Sequence, residues 1–252
     1  MTNKEKVVAL LKSIETGAVE PIGYINPNRY TQHNLAAADG LEGFGELMKM
    51  LPANTAKVNT VRAFQDGDIV VTHTEYDFFG PKIGFDIFKF ENGQIIEHWD
   101  NLQETVTETV NGHTMIDGAT EVKDLDKIKE NKELVEKFAL EFLVNGEMAA
   151  VDKYLDSKSY IQHNPGIADN VEGLQQALRY FMDNKISFKY DKVHMILGEG
   201  NFVLTVSEGE IGGVHSSFYD LFRVENGKIV EHWDTIEVIP AKENWKNNNG
   251  KF

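Results

Sequence analysis

The chain has no cysteine in its 252 residues. That excludes disulfides, thiol nucleophiles and cysteine-ligated metals. It is also short of positive charge, with 25 Lys and Arg against 40 Asp and Glu and a formal net charge of −15. Nucleic-acid binding needs clustered Lys and Arg to neutralise phosphate, so it is excluded as a function class, and an anionic membrane surface with it. No apolar run is long enough to span a bilayer. The start, Met-Thr-Asn-Lys-Glu-Lys-Val-Val-Ala-Leu-Leu, carries neither the apolar core nor the cleavage site of a signal peptide. The expectation is a cytoplasmic protein. Phosphate-binding glycine loops, dinucleotide fingerprints and a Ser-His-Asp order are missing too.

What the chain does have is one fifteen-residue stretch, twice. Asp86 to Asp100 reads Asp-Ile-Phe-Lys-Phe-Glu-Asn-Gly-Gln-Ile-Ile-Glu-His-Trp-Asp, and Asp220 to Asp234 reads Asp-Leu-Phe-Arg-Val-Glu-Asn-Gly-Lys-Ile-Val-Glu-His-Trp-Asp. Alternation of apolar and polar residues on both sides of Asn-Gly is the pattern of a β-hairpin, because both turn residues tolerate positive φ. Turning requires only Asn-Gly, so the Glu-His-Trp-Asp that closes each copy points to function. A two-residue Asn92-Gly93 turn would pair Asp86 with Trp99. A three-residue loop, Glu91 to Gly93, would pair Asp86 with His98 and Phe88 with Ile96. The three-residue loop is the register expected, since it gathers Asp86, His98 and Asp100 on one face beside Phe88, Phe90 and Ile96.

The rest of the chain repeats with it. Tyr30-Thr-Gln-His33-Asn34 matches Tyr160-Ile-Gln-His163-Asn164, and Leu41-Glu-Gly43 matches Val171-Glu-Gly173. Helical spacing of apolar residues runs through 4–15, from Phe44 to Leu51, and from Leu134 to Phe142. Strand patterns occupy Lys57–Phe64, Ile69–Tyr76, Ser187–Leu197 and Asn201–Ser207. Each half therefore reads as helices followed by four antiparallel strands, an α+β unit with helices across one face of a curved sheet. The expected boundaries are 1–106 for the first domain, 107–127 for a polar linker, 128–240 for the second domain and 241–252 for a tail. The two domains are expected to pack on each other as an intramolecular pseudo-dimer, with further homo-oligomerisation left open.

These motifs together resemble SnoaL-like proteins of the nuclear-transport-factor-2-like superfamily, in two tandem copies. The resemblance implies cone-shaped α+β barrels whose hairpin strands line a pocket. It does not single out an activity, because the fold hosts cyclases, isomerases, hydrolases, dehydratases and non-enzymatic binders. Relatives that isomerise ketosteroids carry a pocket carboxylic acid at the position of Asp86 and Asp220. Their general base lies in the loop occupied here by His33-Asn34 and His163-Asn164, where a carboxylate is lacking.

The expected catalytic residues are His98 and Asp100, and His232 and Asp234. Residues two apart on a strand share a face with Cα atoms about 6.6 Å apart, which suits two contacts to one small substrate. Histidine exchanges protons near neutral pH, and Asp does so once burial or a neighbouring carboxylate raises its pKa. Asp86 and Asp220 would hold the substrate oxygen, Phe88 and Phe222 would form the apolar floor, and His33 and His163 would sit at the mouth. The function expected is cofactor-independent acid–base chemistry on a carbonyl compound, by aldol-type cyclisation or isomerisation. The alternative is a non-catalytic small-ligand-binding or scaffold protein, in which the His-Asp pairs are satisfied structural hydrogen bonds. His33, His98 and Asp100 would make a two-His-one-carboxylate set, but they come from distant elements without helical spacing, so no metal is assigned.

Overall fold

A computed structural model describes residues 1–51 and 55–252. The chain divides into two compact units, Met1–Thr105 with Ile239–Phe252, and Val106–Val238. The polar stretch after the first hairpin thus packs within the second unit, and the tail packs within the first.

In the first unit, helix α1 spans Asn3–Thr16. Thr2 and Glu5 close a reciprocal capping box at its start, and Gly17 ends it in the left-handed conformation at φ 70°. The spacing of Val7, Leu10 and Leu11 turns one face into the core, where each is less than 5% exposed. Helix α2, Gly40–Met50, follows the two-residue strand β1, Thr31–Gln32. The Glu-Gly repeated in both halves marks a close approach. A Cβ on Gly43 would lie 2.1 Å from the carbonyl oxygen of Ala38, and one on Gly173 would lie 2.1 Å from that of Ala168.

Strands β2 (Lys57–Asp66), β3 (Ile69–Asp77), β4 (Pro81–Glu91) and β5 (Gln94–Glu104) form the antiparallel meander that the alternation predicts. The sheet order is β1-β5-β4-β3-β2, with β1 parallel to β5. This fifth strand lies within the Tyr-x-Gln-His-Asn motif and places Gln32 beside His98.

The second unit repeats the plan. Helix α3 (Ile128–Phe138) continues as a π turn through Val144 and is followed by α4 (Ala149–Tyr154). Then come β6 (Ile161–Gln162), α5 (Asn170–Asp183), and strands β7 (Phe188–Glu199), β8 (Phe202–Ile211), β9 (Val214–Glu225) and β10 (Lys228–Val238). Its sheet order is β6-β10-β9-β8-β7.

The hairpin register differs from expectation. Glu91 pairs with Gln94, so the turn is the two-residue Asn92-Gly93, with φ of 50° and 79°. A bulge then adds Ile96 to β5, and Asp86 faces Asp100 while Phe88 faces His98. Val230 is the extra residue in β10, and Asp220 faces Asp234. The bulge restores the parity that a three-residue loop would have given. Asp86, His98 and Asp100 therefore share one face, although Asp86 and His98 do not face each other as expected.

Candidate active site

In the first unit the β4–β5 pair carries a hydrogen-bonded chain across the sheet. The Tyr76 hydroxyl donates to Asp86 Oδ2 at 2.6 Å, and Asp86 Oδ1 lies 3.1 Å from His98 Nε2. His98 Nδ1 lies 2.9 Å from Gln32 Oε1, which also accepts the Asn34 backbone N–H at 2.8 Å. That amide oxygen can only accept, so Nδ1 of His98 is a donor and its second nitrogen shares a proton with Asp86. Phe88 stacks on the His98 ring at 4.4 Å between centroids. Asp100 Oδ2 accepts from Asn34 Nδ2 at 2.5 Å.

The second unit builds the same chain. Tyr190 donates to Asp220 at 3.1 Å, Asp220 Oδ1 lies 3.0 Å from His232 Nε2, and His232 Nδ1 lies 2.8 Å from Gln162 Oε1. Asn164 Nδ2 donates to Asp234 Oδ2 at 2.7 Å, and Phe222 stacks on His232 at 4.9 Å. The other carboxylate oxygen of Asp234 is buried without a hydrogen-bond partner among the described residues. Burial, reinforced by the charge of Asp220, pushes the Asp234 carboxyl up to about 6 against the pull of His232. For His232, burial works against the imidazolium, but the hydrogen bond to Asp220 and the charges of Asp234 and Asp220 outweigh it and hold the ring above the ordinary histidine range. Burial, with the charge of the neighbouring Asp, pushes the hydroxyls of Tyr76 and Tyr190 well above the ordinary tyrosine range, so both remain donors.

A cavity of about 90 Å³ opens on this face in the first unit. Asp86, His98, Asp100, Gln32, Asn34 and Tyr76 line its polar side, with Phe88 and apolar side chains of α1 and α2 on the other. In the second unit a cavity of about 280 Å³ lies between α5 and β7, lined by Phe142, Phe181, Phe188 and Tyr190. Tyr190 is its link to the Asp220–His232 chain, because the acids themselves are not in the lining.

His33 and His163 are not at a mouth. They lie on the opposite face of the sheet, stacked on Trp99 and Trp233 at 4.6 and 4.7 Å. His33 Nε2 lies 3.1 Å from Glu97, and His163 Nε2 lies 3.0 Å from Glu231. Alternation along β1 and β6 is the reason. If Gln32 and Gln162 face the cavity side, the next residue must face away. His33 therefore does not join His98 and Asp100 as a donor set. On the cavity face, the donor atoms of Asp86, His98 and Asp100 lie within 4.8 Å of one another, as do those of Asp220, His232 and Asp234. Either set could hold a cation if Nε2 of the histidine exchanged its proton for it.

Gln32, Gln162, Tyr76 and Tyr190 complete the site and were not singled out from the sequence. The glutamines had a signal, namely their repetition at the same place in the Tyr-x-Gln-His-Asn motif. The tyrosines had none, since Tyr76 and Tyr190 stand on strands that do not correspond, β3 and β7.

Solved structures described as NTF2-like proteins are among those the chain resembles. An NTF2-like protein from Burkholderia xenovorans LB400 is 20% identical with a TM-score of 0.38, over 46% of this chain and 89% of its own. An NTF2-like protein from Cytophaga hutchinsonii is 23% identical with a TM-score of 0.34, over 48% of this chain and 95% of its own. Wild-type IdmH from Streptomyces antibioticus is 18% identical with a TM-score of 0.35, over 43% of this chain and 92% of its own. Each match covers one copy of the repeat. No protein-family model and no curated protein matches the sequence.

Proposed function

We propose that the chain is an acid–base enzyme acting on a small carbonyl compound, with one proton-transfer site in each unit. The observation that carries this reading is a buried carboxyl beside a fixed imidazole, seen twice. Asp100 and Asp234 each use one oxygen to accept from an asparagine; the other oxygen of each is buried without a hydrogen bond from the described residues, although that of Asp100 has Lys251 Nζ 3.7 Å away. A group left in that state costs folding energy, and sites of proton transfer are where such a cost is retained.

In the first site Asp100 would remove a proton from the carbon beside the carbonyl. The Tyr76–Asp86–His98–Gln32 chain would return a proton to the developing enolate oxygen. The carbon–carbon closure of an aldol reaction or the double-bond shift of an isomerisation would follow from the same enolate. A volume of about 90 Å³ is below the roughly 150 Å³ that holds benzene in an apolar protein cavity. The substrate is therefore compact, or its reacting end alone enters.

The test is exchange of α-protons of small ketones and 1,3-diketones in D2O, followed by NMR. Wild-type protein should exceed buffer-catalysed exchange. Asp100→Asn combined with Asp234→Asn should abolish the excess while leaving the circular dichroism spectrum unchanged. An excess that survives both substitutions defeats the assignment.

A second reading, a non-catalytic small-ligand binder, is favoured by one observation. The cavity of the second unit does not include Asp220, His232 or Asp234 in its lining. Under this reading a ligand raises the melting temperature and no exchange is catalysed.

A further inference from the structure

The stretch that follows the first hairpin assembles a different set of donors in the second unit. They lie on the Glu231–Trp233 face of β10, opposite the face of His232 and Asp234. His163 Nδ1 lies 2.8 Å from Asp117 Oδ1 and 3.0 Å from the carbonyl oxygen of Thr114. The His113 ring is tilted over His163 with centroids 5.2 Å apart. One ligand atom from each of His113, Asp117 and His163 falls within 4.8 Å of the other two.

Each imidazole is also held from behind. His163 Nε2 meets Glu231 Oε1 at 3.0 Å, and the other Glu231 oxygen accepts from Arg223 Nε at 2.6 Å. Burial works against the charge of Glu231, but the bonds from His163 and Arg223 outweigh it and keep the carboxyl below its ordinary range. His113 Nε2 meets Asp169 Oδ2 at 3.1 Å, and Asp169 Oδ1 accepts the Gln162 N–H at 2.9 Å. A carboxylate on one ring nitrogen fixes the tautomer and directs the other nitrogen, which is the arrangement behind metal-binding histidines.

Asp117 is fixed by its own backbone. Its carbonyl accepts from Trp233 Nε1 at 2.8 Å and its N–H bonds Thr114 Oγ1 at 3.1 Å. The first unit does not repeat this set. Asn249 takes the place of His113 there, with its Nδ2 3.1 Å from Asp39, the counterpart of Asp169, and Nδ1 of His33 meets the Gly250 carbonyl. The second histidine has no counterpart in the first unit among the described residues.

We propose that Nδ1 of His113, Nδ1 of His163 and the carboxylate of Asp117 bind one divalent first-row transition ion, of which zinc fits best. Two imidazoles and one carboxylate are the nitrogen and oxygen donors zinc takes, at 2.0–2.2 Å, and a tetrahedral ion would place them about 3.3 Å apart. His163 Nδ1 and Asp117 Oδ1 are 2.8 Å apart, and all three donors fall within 4.8 Å, so small side-chain movements reach that spacing. Three protein ligands leave a fourth position for water or the Thr114 carbonyl. Binding displaces the proton on His163 Nδ1 and fastens residues 113–117 to the second unit. This site is independent of the acid–base reading.

The full chain, stripped with chelator and dialysed, is titrated with Zn²⁺ by calorimetry and with Co²⁺ by visible absorption. One equivalent should bind with a Kd tighter than about 10 μM, with a Co²⁺ d–d band and a raised melting temperature. His113→Ala and Asp117→Ala should each weaken binding about 100-fold, as loss of a ligand should cost at least as much as loss of its outer support. Asp86→Asn and Asp220→Asn should leave it unchanged. Absence of one-to-one binding overturns the proposal. So does binding that His113→Ala and Asp117→Ala leave intact, or that depends on Asp86 or Asp220.

Discussion

Nζ of Lys251 lies 3.7 Å from Oδ1 of Asp100, and the two side chains are only 4% and 6% exposed. The tail delivers this lysine. Asn247 Nδ2 donates to the carbonyls of Asn34 and Ala37, and Gly250 accepts from His33. The stretch after the first hairpin does the same in the second unit, where Asn111 Nδ2 donates to Asn164 and Ile167 and Thr114 accepts from His163. The residue after Thr114 is Met115, 2% exposed. Asp100 thus has a buried cation beside it, while the position in the second stretch that matches Lys251 is Met115, whose sulfur accepts from the Val106 N–H.

That pairing predicts a thermodynamic coupling. Removing one member of a buried ion pair leaves an uncompensated charge, so Lys251→Met should cost about 3 kcal/mol at pH 7. Asp100→Asn in the same chain should recover most of it. Urea unfolding of the two single variants and the double variant gives the coupling energy, expected above about 1 kcal/mol. Additive losses would show that the two charges do not interact.

The Asp234 carboxyl, raised from 3.8 to about 6 by burial and by Asp220, predicts a pH dependence. The folded protein holds this proton where the unfolded chain has lost it. Its contribution is fully present below about pH 4 and is lost as pH rises through about 6. A shift of about two units corresponds to roughly 3 kcal/mol. Asp234→Asn should therefore gain stability relative to wild type between pH 4 and 7, by an amount of that order. His232 owes part of its own upward shift to the charge of Asp234, so Asp234→Asn alters both groups and the difference curve reports the coupled pair. Denaturant melts at half-unit pH steps measure it, and a flat difference curve would contradict the assignment.

The glutamines of β1 and β6 are predicted to orient the imidazoles. Gln162→Leu removes the acceptor for both His232 Nδ1 and the Asn164 N–H. A buried donor and a half-buried one are then left unmet, at a cost of about 2 kcal/mol. Imidazole ¹⁵N shifts should show Nδ1 of His232 losing its hydrogen bond. Wild-type shifts in the variant would mean that Gln162 does not hold the ring.

The duplication made the architecture legible. Two copies of an alternating run around Asn-Gly define both hairpins, and helical spacing at Val7, Leu10 and Leu11 defines α1. That His98 and Asp100 share a face could be read from strand parity, whereas Asp86 joins them because the bulge at Ile96 offsets the two-residue turn. Their partners could not, because a bulge at Ile96 has no sequence mark and shifts every pair beyond it by one. Gln32 was passed over because two residues are too few to show a strand's period, so the side that His33 takes was not legible either. The roles of Asn111 and Asn247 were hidden for another reason. They belong to polar stretches whose order comes from side-chain bonds to loop carbonyls, and no hydrophobic period records such bonds.

Gly118 should be intolerant of any side chain. Its φ is 90°, and a Cβ would lie 2.1 Å from Glu231 Oε1 and 2.9 Å from both His163 Nε2 and Trp233. None of these can retreat cheaply, since Glu231 is held by Arg223 and His163, and His163 is stacked on Trp233. Gly118→Ala should therefore cost about 2–4 kcal/mol, combining left-handed strain with the steric conflict. Gly112→Ala is the control. It sits at φ 79° in the same stretch, but a Cβ there would meet nothing within 4 Å, so it should carry only the backbone part, about 1 kcal/mol. Equal melting temperatures for the two variants would mean that the contact of Gly118 with Glu231 and His163 does not hold this stretch in place.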